Sequence, residues 1–145
     1  MPARPGRRTI KRKLEITPEF YQTDQMGVVH NSVYFLWFER GRFQVLQEVL
    51  PFDEALSLGM AMPVVENHCR YKKPVRFGDP LVLITTHDIL SCYEGRLMFR
   101  HSLVHAKHKI EMASGHSVST LMKMPSLQLV KEWPADCWQR YSNLQ

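Results

Sequence analysis

Six apolar residues stand in succession at Val33-Tyr34-Phe35-Leu36-Trp37-Phe38. Asn31 or Ser32, just before them, can cap a helix by accepting a backbone N–H two or three positions on. Pro51 halts that helix near Leu50. Six consecutive helical residues point in every direction, so a helix apolar there must be covered on every side. Only later do Glu39, Arg40, Arg42, Gln44, Gln47 and Glu48 provide a polar side. The rest of the chain must therefore wrap this segment. Its 145 residues suffice for one domain with a core and are too few for two comfortable ones. That length excludes a Rossmann dehydrogenase, a TIM barrel or a full α/β-hydrolase. Hydrophobic residues at 44% and charged residues at 23% are ordinary for a globular domain. The apolar runs are too short to span a bilayer.

The flanking segments read mostly as strands. Leu14-Glu15-Ile16-Thr17 alternates apolar and polar and stops at Pro18, as a half-buried strand does. Tyr21 to Gly27 is turn chemistry. Asp53 to Gly59 reads as a short second helix, with Asp at the N-cap and Gly past the end. Further strands are expected near 62–73, 80–90, 95–106 and 110–123, separated by Phe77-Gly78-Asp79-Pro80, Glu94-Gly95 and Lys107-His108-Lys109. The last stretch, with Trp133, Pro134 and Trp138, is a tail or terminal helix. The class is α+β: a five-stranded antiparallel sheet around one long helix. One sheet cannot enclose such a helix, so a second copy of the chain is expected to complete the cover.

The charge is unevenly placed. Arg4, Arg7, Arg8, Lys11, Arg12 and Lys13 fall in the first thirteen residues with no acid among them, and the remaining 13 basic residues face 14 acids. Residues 1–13 thus read as a solvated basic arm, and the near-neutral body offers no basic face for nucleic acid. The arm lacks the apolar stretch of a signal peptide. Cys69, Cys92 and Cys137 are odd in number and far apart, which is no disulfide framework and suits a reducing cytoplasm.

Chemistry concentrates at Asp24, Gly27, His30 and Asn31. A loop carboxylate lies seven residues before the start of the helix, where unpaired N–H groups and the positive end of the dipole favour a developing oxyanion. The carboxylate can serve as general base or nucleophile at a carbonyl polarised there. Alternatively Asp24 only shapes the turn.

Thr23-Asp24-Gln25-Met26-Gly27-Val28-Val29-His30-Asn31-Ser32-Val33-Tyr34 with Trp37-Phe38-Glu39, and Tyr71-Lys72-Lys73-Pro74-Val75-Arg76-Phe77-Gly78-Asp79-Pro80-Leu81, resemble the two signature segments of hotdog-fold acyl-CoA thioesterases of the 4-hydroxybenzoyl-CoA thioesterase type. The likeness covers about Leu14 to Met124, implying a hotdog domain over 14–124 and a C-terminal extension over 125–145. It implies hydrolysis of an acyl-CoA or acyl-carrier-protein thioester at the interface of a homodimer or homotetramer, with CoA part of the substrate and neither cofactor nor metal. Asp24 matches the catalytic aspartate. Asn31 matches the position whose backbone N–H polarises the carbonyl. Gly27, His30 and Tyr34 are the implied substrate-binding positions, Tyr34 and Glu39 also serving packing or the interface. Many relatives carry His or Tyr where Asn31 stands; that leaves a backbone role intact and speaks against an imidazole role at 31.

Three other patterns carry less. Gly115-His116-Ser117-Val118-Ser119 resembles a nucleophile elbow but lies in a strand pattern, where an elbow has no strand-to-helix turn. His101 and His105 share a strand face while His108 points away, and no Cys or acid completes a metal set, so they read as surface and turn histidines. Arg70, Lys72, Lys73 and Arg76 form a basic group suited either to solvent or to CoA phosphates. The rival functions are a hotdog dehydratase and a non-catalytic acyl-thioester-binding module.

Overall fold

Strand β1 (Thr9–Ile16) opens the fold in a computed structural model that describes residues 9–144, apart from the side chains of Leu90, Tyr93 and Glu94. It begins inside the stretch read above as an arm. Ile10 and Ile16 are buried on one face while Lys11, Lys13 and Glu15 face outward. Arg12 stands on the inward side yet is satisfied, its guanidinium donating to both carboxylate oxygens of Glu48 at 2.7 and 3.0 Å. The dense basic run hides this alternation from a hydropathy reading. Arg4, Arg7 and Arg8 lie outside the described residues.

The buried helix is α1 (Val33–Leu46). It loosens before reaching Leu50: Glu48 and Val49 donate to carbonyls three residues back, a tighter turn that leads into Pro51. Its N-cap is Ser32, but no side-chain cap bond forms there. Instead the Ser32 N–H donates to His30 Nδ1 at 3.1 Å. Helix α2 (Phe52–Ser57) starts one residue earlier than Asp53, with Pro51 at its N-cap and Asp53 and Glu54 in its first turn. There the carboxylates complement the helix dipole.

The strands follow as β2 (Met60–Ala61), β3 (Val64–Tyr71), β4 (Leu81–Asp88), β5 (Arg96–His105), β6 (Glu111–Thr120), β7 (Met122–Lys123) and β8 (Gln128–Leu129). The main sheet is antiparallel throughout, ordered β1-β4-β5-β6-β3. The minor sheet is β2-β7-β8. Helix α1 lies across the main sheet and meets β4 at Gly41, where an added Cβ would stand 2.3 Å from Thr85 Oγ1. Only glycine permits so close an approach of helix to strand.

Within the stretch read as a C-terminal extension, four residues join the interior. Helix α3 (Ala135–Asn143) buries Cys137, Trp138 and Tyr141 with Trp133 against Val45, Val49 and Phe99. Its Arg140 holds Glu54 through two bonds of 2.6 and 3.1 Å. One apolar cluster thus packs against the inner face of the C-terminal half of α1. A second, with Val33, Tyr34, Trp37, Phe38 and Leu83, packs along the N-terminal half, while Leu36 and Phe43 stay exposed.

Four of the buried polar residues, Arg42, Thr85, His101 and Ser117, form one hydrogen-bonded chain. His101 is stacked on Phe38 and only 3% exposed, not a surface histidine as its spacing suggested. Thr85 Oγ1 lies 3.1 Å from its Nδ1, and its Nε2 lies 3.0 Å from Ser117 Oγ. Ser117 is fully buried and donates to Asn67 Oδ1 at 2.8 Å while accepting from Arg42 at 3.0 Å. This serine is a structural junction inside β6, linking Arg42, His101 and Asn67.

Candidate active site

The loop before α1 is closed on itself. Asp24 N–H donates to the Val28 carbonyl at 2.8 Å, and Gly27 N–H donates back to the Asp24 carbonyl at 3.0 Å. Gly27 adopts φ +75°, a conformation that side chains resist. Asp24 Oδ1 accepts the N–H groups of Met26 at 2.8 Å and Val28 at 3.4 Å. So the turn-shaping role of Asp24 is real, and it occupies one oxygen. The other, Oδ2, has no hydrogen-bond partner among the described residues.

The two segments singled out in the sequence meet here. Val29 N–H donates to the Val75 carbonyl at 2.8 Å, and Val28 pairs with Arg76. Tyr71, at the end of edge strand β3, donates its hydroxyl proton to the Asn31 carbonyl at 2.8 Å. A cavity of about 410 Å³ opens between them, lined by Asp24, His30, Asn31, Tyr34, Tyr71 and the 72–75 segment, among others. That volume lies within the usual range of small-ligand sites, about 300–1,000 Å³.

The five site residues of the sequence reading divide. Asp24, His30, Asn31 and Tyr34 line the cavity; Gly27 does not, and its place is the turn beside Arg76. His30 uses Nδ1 on the Ser32 backbone and lies 2.7 Å from the Ser32 hydroxyl, so this ring helps begin the helix. Asn31 N–H is the open donor: no partner for it occurs among the described residues. Tyr34 is 3% exposed and packs on Trp37 and Tyr71, and burial raises its hydroxyl to about 12. Burial, aided by Cys69, likewise raises Tyr71 to about 12. Both phenols therefore stay protonated, fit to donate hydrogen bonds and unfit as bases.

Of the basic group, Lys72 and Lys73 line the cavity. Lys72 is ion-paired with Glu111, whose carboxyl is held below its usual range by Lys72 first and Ser102 second. Lys73 has no ion-pair partner among the described residues. In the sequence Tyr71 stands out only as the first residue of the second motif. Its contact with Asn31 spans 40 residues of chain, and no local periodicity signals such a bond.

The model of the thioesterase-like superfamily matches residues 18–140. The chain belongs to the thioesterase-like superfamily. It is a thioester hydrolase with the hotdog arrangement of sheet and helix. An Aquifex aeolicus (strain VF5) protein bearing the name of an esterase is 29% identical over 106 residues, 72% of this chain and 80% of that protein. A Bacillus subtilis (strain 168) protein named as an acyl-CoA thioesterase, YneP, is 34% identical over 84 residues, 57% of this chain and 59% of that one. The crystal structure of Slr0204, a 1,4-dihydroxy-2-naphthoyl-CoA thioesterase from Synechocystis, has a TM-score of 0.80 at 20% identity, covering 91% of this chain and 95% of that one. At that identity the likeness is one of fold. In this thioesterase-like chain no described helix is long and apolar enough to cross a membrane.

Proposed function

We propose that this thioester hydrolase cleaves an acyl-CoA or acyl-carrier-protein thioester to free acid and thiol, with Asp24 as base or nucleophile. The observation that carries the reading is the lining of one cavity, which includes both Asp24 and Asn31, whose N–H has no partner among the described residues just before α1. The substrate carbonyl oxygen accepts that N–H, and the helix dipole favours the negative charge developing there. Acting as base, Asp24 takes a proton from water as the oxygen attacks the carbonyl carbon. The tetrahedral oxyanion then collapses, the C–S bond breaks, and the thiolate leaves and regains a proton. Acting as nucleophile, Asp24 forms an acyl anhydride that water opens. CoA enters as part of the substrate. The names of YneP and Slr0204 favour CoA as the carrier, and Slr0204 illustrates an aromatic acyl group.

The working form in this reading is a homodimer or larger. Asp24, His30 and Asn31 are exposed in the single chain. So are Leu36 and Phe43 of α1 (56% and 45%), and nearly all of edge strand β3. A second copy across this face would cover the helix and close the cavity. The three cysteines are free, in keeping with a reducing cytoplasm.

The test is release of free thiol from a panel of aliphatic and aromatic acyl-CoAs and acyl-carrier-protein thioesters, by wild type and Asp24→Asn. Turnover of one class by wild type alone supports the reading. Binding without turnover of any member would make the chain an acyl-thioester-binding module. Reversible loss of water from a hydroxyacyl thioester would make it a dehydratase.

A further inference from the structure

Asn31 is held from both sides, and each of its two peptide groups has a separate anchor. In the His30–Asn31 peptide, the His30 carbonyl accepts the Val33 N–H at 3.0 Å. The peptide is planar and trans, so its N–H, that of Asn31, points the opposite way. In the next peptide, Ser32 N–H is bound by His30 Nδ1 at 3.1 Å, and the Asn31 carbonyl accepts the Tyr71 hydroxyl at 2.8 Å. Three of these four backbone groups thus have partners, and the fourth is the Asn31 N–H. The Tyr71 bond is the one anchor that comes from outside the loop. It reaches over from the far edge strand of the sheet, and the ring is seated edge-on against Tyr34 at 4.8 Å and 86°.

We propose that Tyr71 is a positioning residue for the hydrolysis: its hydroxyl pins the Asn31 carbonyl and so fixes the direction of the Asn31 N–H that polarises the thioester. This rests on the function proposed above. An oxyanion donor contributes only when preorganised, and loss of such a donor outright costs about 10²–10³ in kcat. Loosening it costs less. Tyr71 is half-exposed at 45%, so removing its hydroxyl leaves the core intact.

Tyr71→Phe keeps the ring and deletes the hydroxyl, with its bond to Asn31 and its interaction with Cys69. The expected result is a fall of about 10-fold in kcat, a KM raised no more than the Kd for a ketone analogue of the substrate, and an unchanged melting temperature. Two analogues of the best substrate separate positioning from general damage. One is a ketone that keeps the carbonyl and replaces sulfur by methylene; the other is a thioether that lacks the carbonyl. Tyr71→Phe should bind the ketone several-fold more weakly and the thioether as wild type does. Equal weakening toward both would make Tyr71 a mere wall of the cavity and overturn the proposal. So would wild-type kcat in Tyr71→Phe. Should Tyr71→Phe melt early, the ketone-to-thioether ratio, measured below that melting point, still decides. An active wild type with inactive Asp24→Asn and unaffected Tyr71→Phe defeats this inference alone, whereas a wild type inactive on every thioester defeats the function on which it rests.

Discussion

Asp24 binds its turn through one oxygen and leaves the other without a hydrogen-bond partner among the described residues, and that division makes its substitution informative. Asn in its place keeps an oxygen for the Met26 and Val28 N–H groups, so the turn should survive. What it loses is the charge. Asp24→Asn is expected to fold normally and to lower kcat by more than about 100-fold, the order associated with loss of a positioned base or nucleophile. Steady-state kinetics beside a melting curve checks both halves, and near-normal turnover would reduce Asp24 to a turn residue. Asn31 is a complementary case. Its N–H has no structural partner among the described residues, so proline there removes no bond from the fold while deleting the donor. Asn31→Pro should therefore cost about 10²–10³ in kcat and Asn31→Ala far less. Equal losses in the two would shift the role to the amide side chain.

At the scale of elements, the contact between α1 and β4 controls how deeply the helix sits. Gly41 has no room for a methyl group: Thr85 Oγ1 lies 2.3 Å and Leu83 Cδ2 2.9 Å from where it would be. Thr85 cannot swing aside freely, because its hydroxyl is bound to His101. Gly41→Ala gains up to about 1 kcal/mol in helix propensity, but overpacking costs about 1–3 kcal/mol. Net destabilisation is expected, at about 2–4 °C of melting temperature per kcal/mol lost. A shifted α1 would also displace the helix start from the Tyr71 hydroxyl, so activity should fall with stability. A melting temperature above wild type would show that the sheet yields here.

For the whole molecule, two fully enclosed imidazoles set the response to acid. His87 lies between the Met98 carbonyl and the Tyr141 hydroxyl, each 2.9 Å away, and burial lowers it to about 4. Burial and then the nearby Arg42 charge lower His101 to about 3. Both rings are neutral in the fold and regain an ordinary value near 6.5 on unfolding. Their contribution is complete above about pH 6.5 and is lost as pH falls toward 4 and 3. The slope approaches about 1.4 kcal/mol per pH unit for each ring. Urea titrations at steps from pH 7 to 4 should show this fall, and flat stability across that range would contradict it. Assembly is the second property at this scale. Light scattering is expected to give at least twice the 17.0 kDa of one chain. Val65→Asp on exposed β3 should weaken assembly and activity together. A fully active monomer would show that the site is complete in one chain.

The sequence by itself determined the order of α1, α2 and the strands of the main sheet, because hydrophobic period and turn chemistry are local quantities that neighbouring residues supply; the short strands of the minor sheet gave no such signal. The apolar run of α1, the turn at Gly27 and the four later strands were all legible in that way. That Asp24 and Asn31 fall beside one cavity was legible too, since a loop acid and a helix start lie close along the chain. Tertiary structure decided what depends on distant partners. Ile10 sits among basic residues and joins the core only through its neighbours in space, and Trp133, Cys137, Trp138 and Tyr141 turn an apparent extension into interior. His101 could be told from a surface histidine only by Phe38 stacked upon it. The Tyr71 bond to Asn31 depends on where β3 ends relative to α1, and packing of the whole sheet against the helix sets that separation.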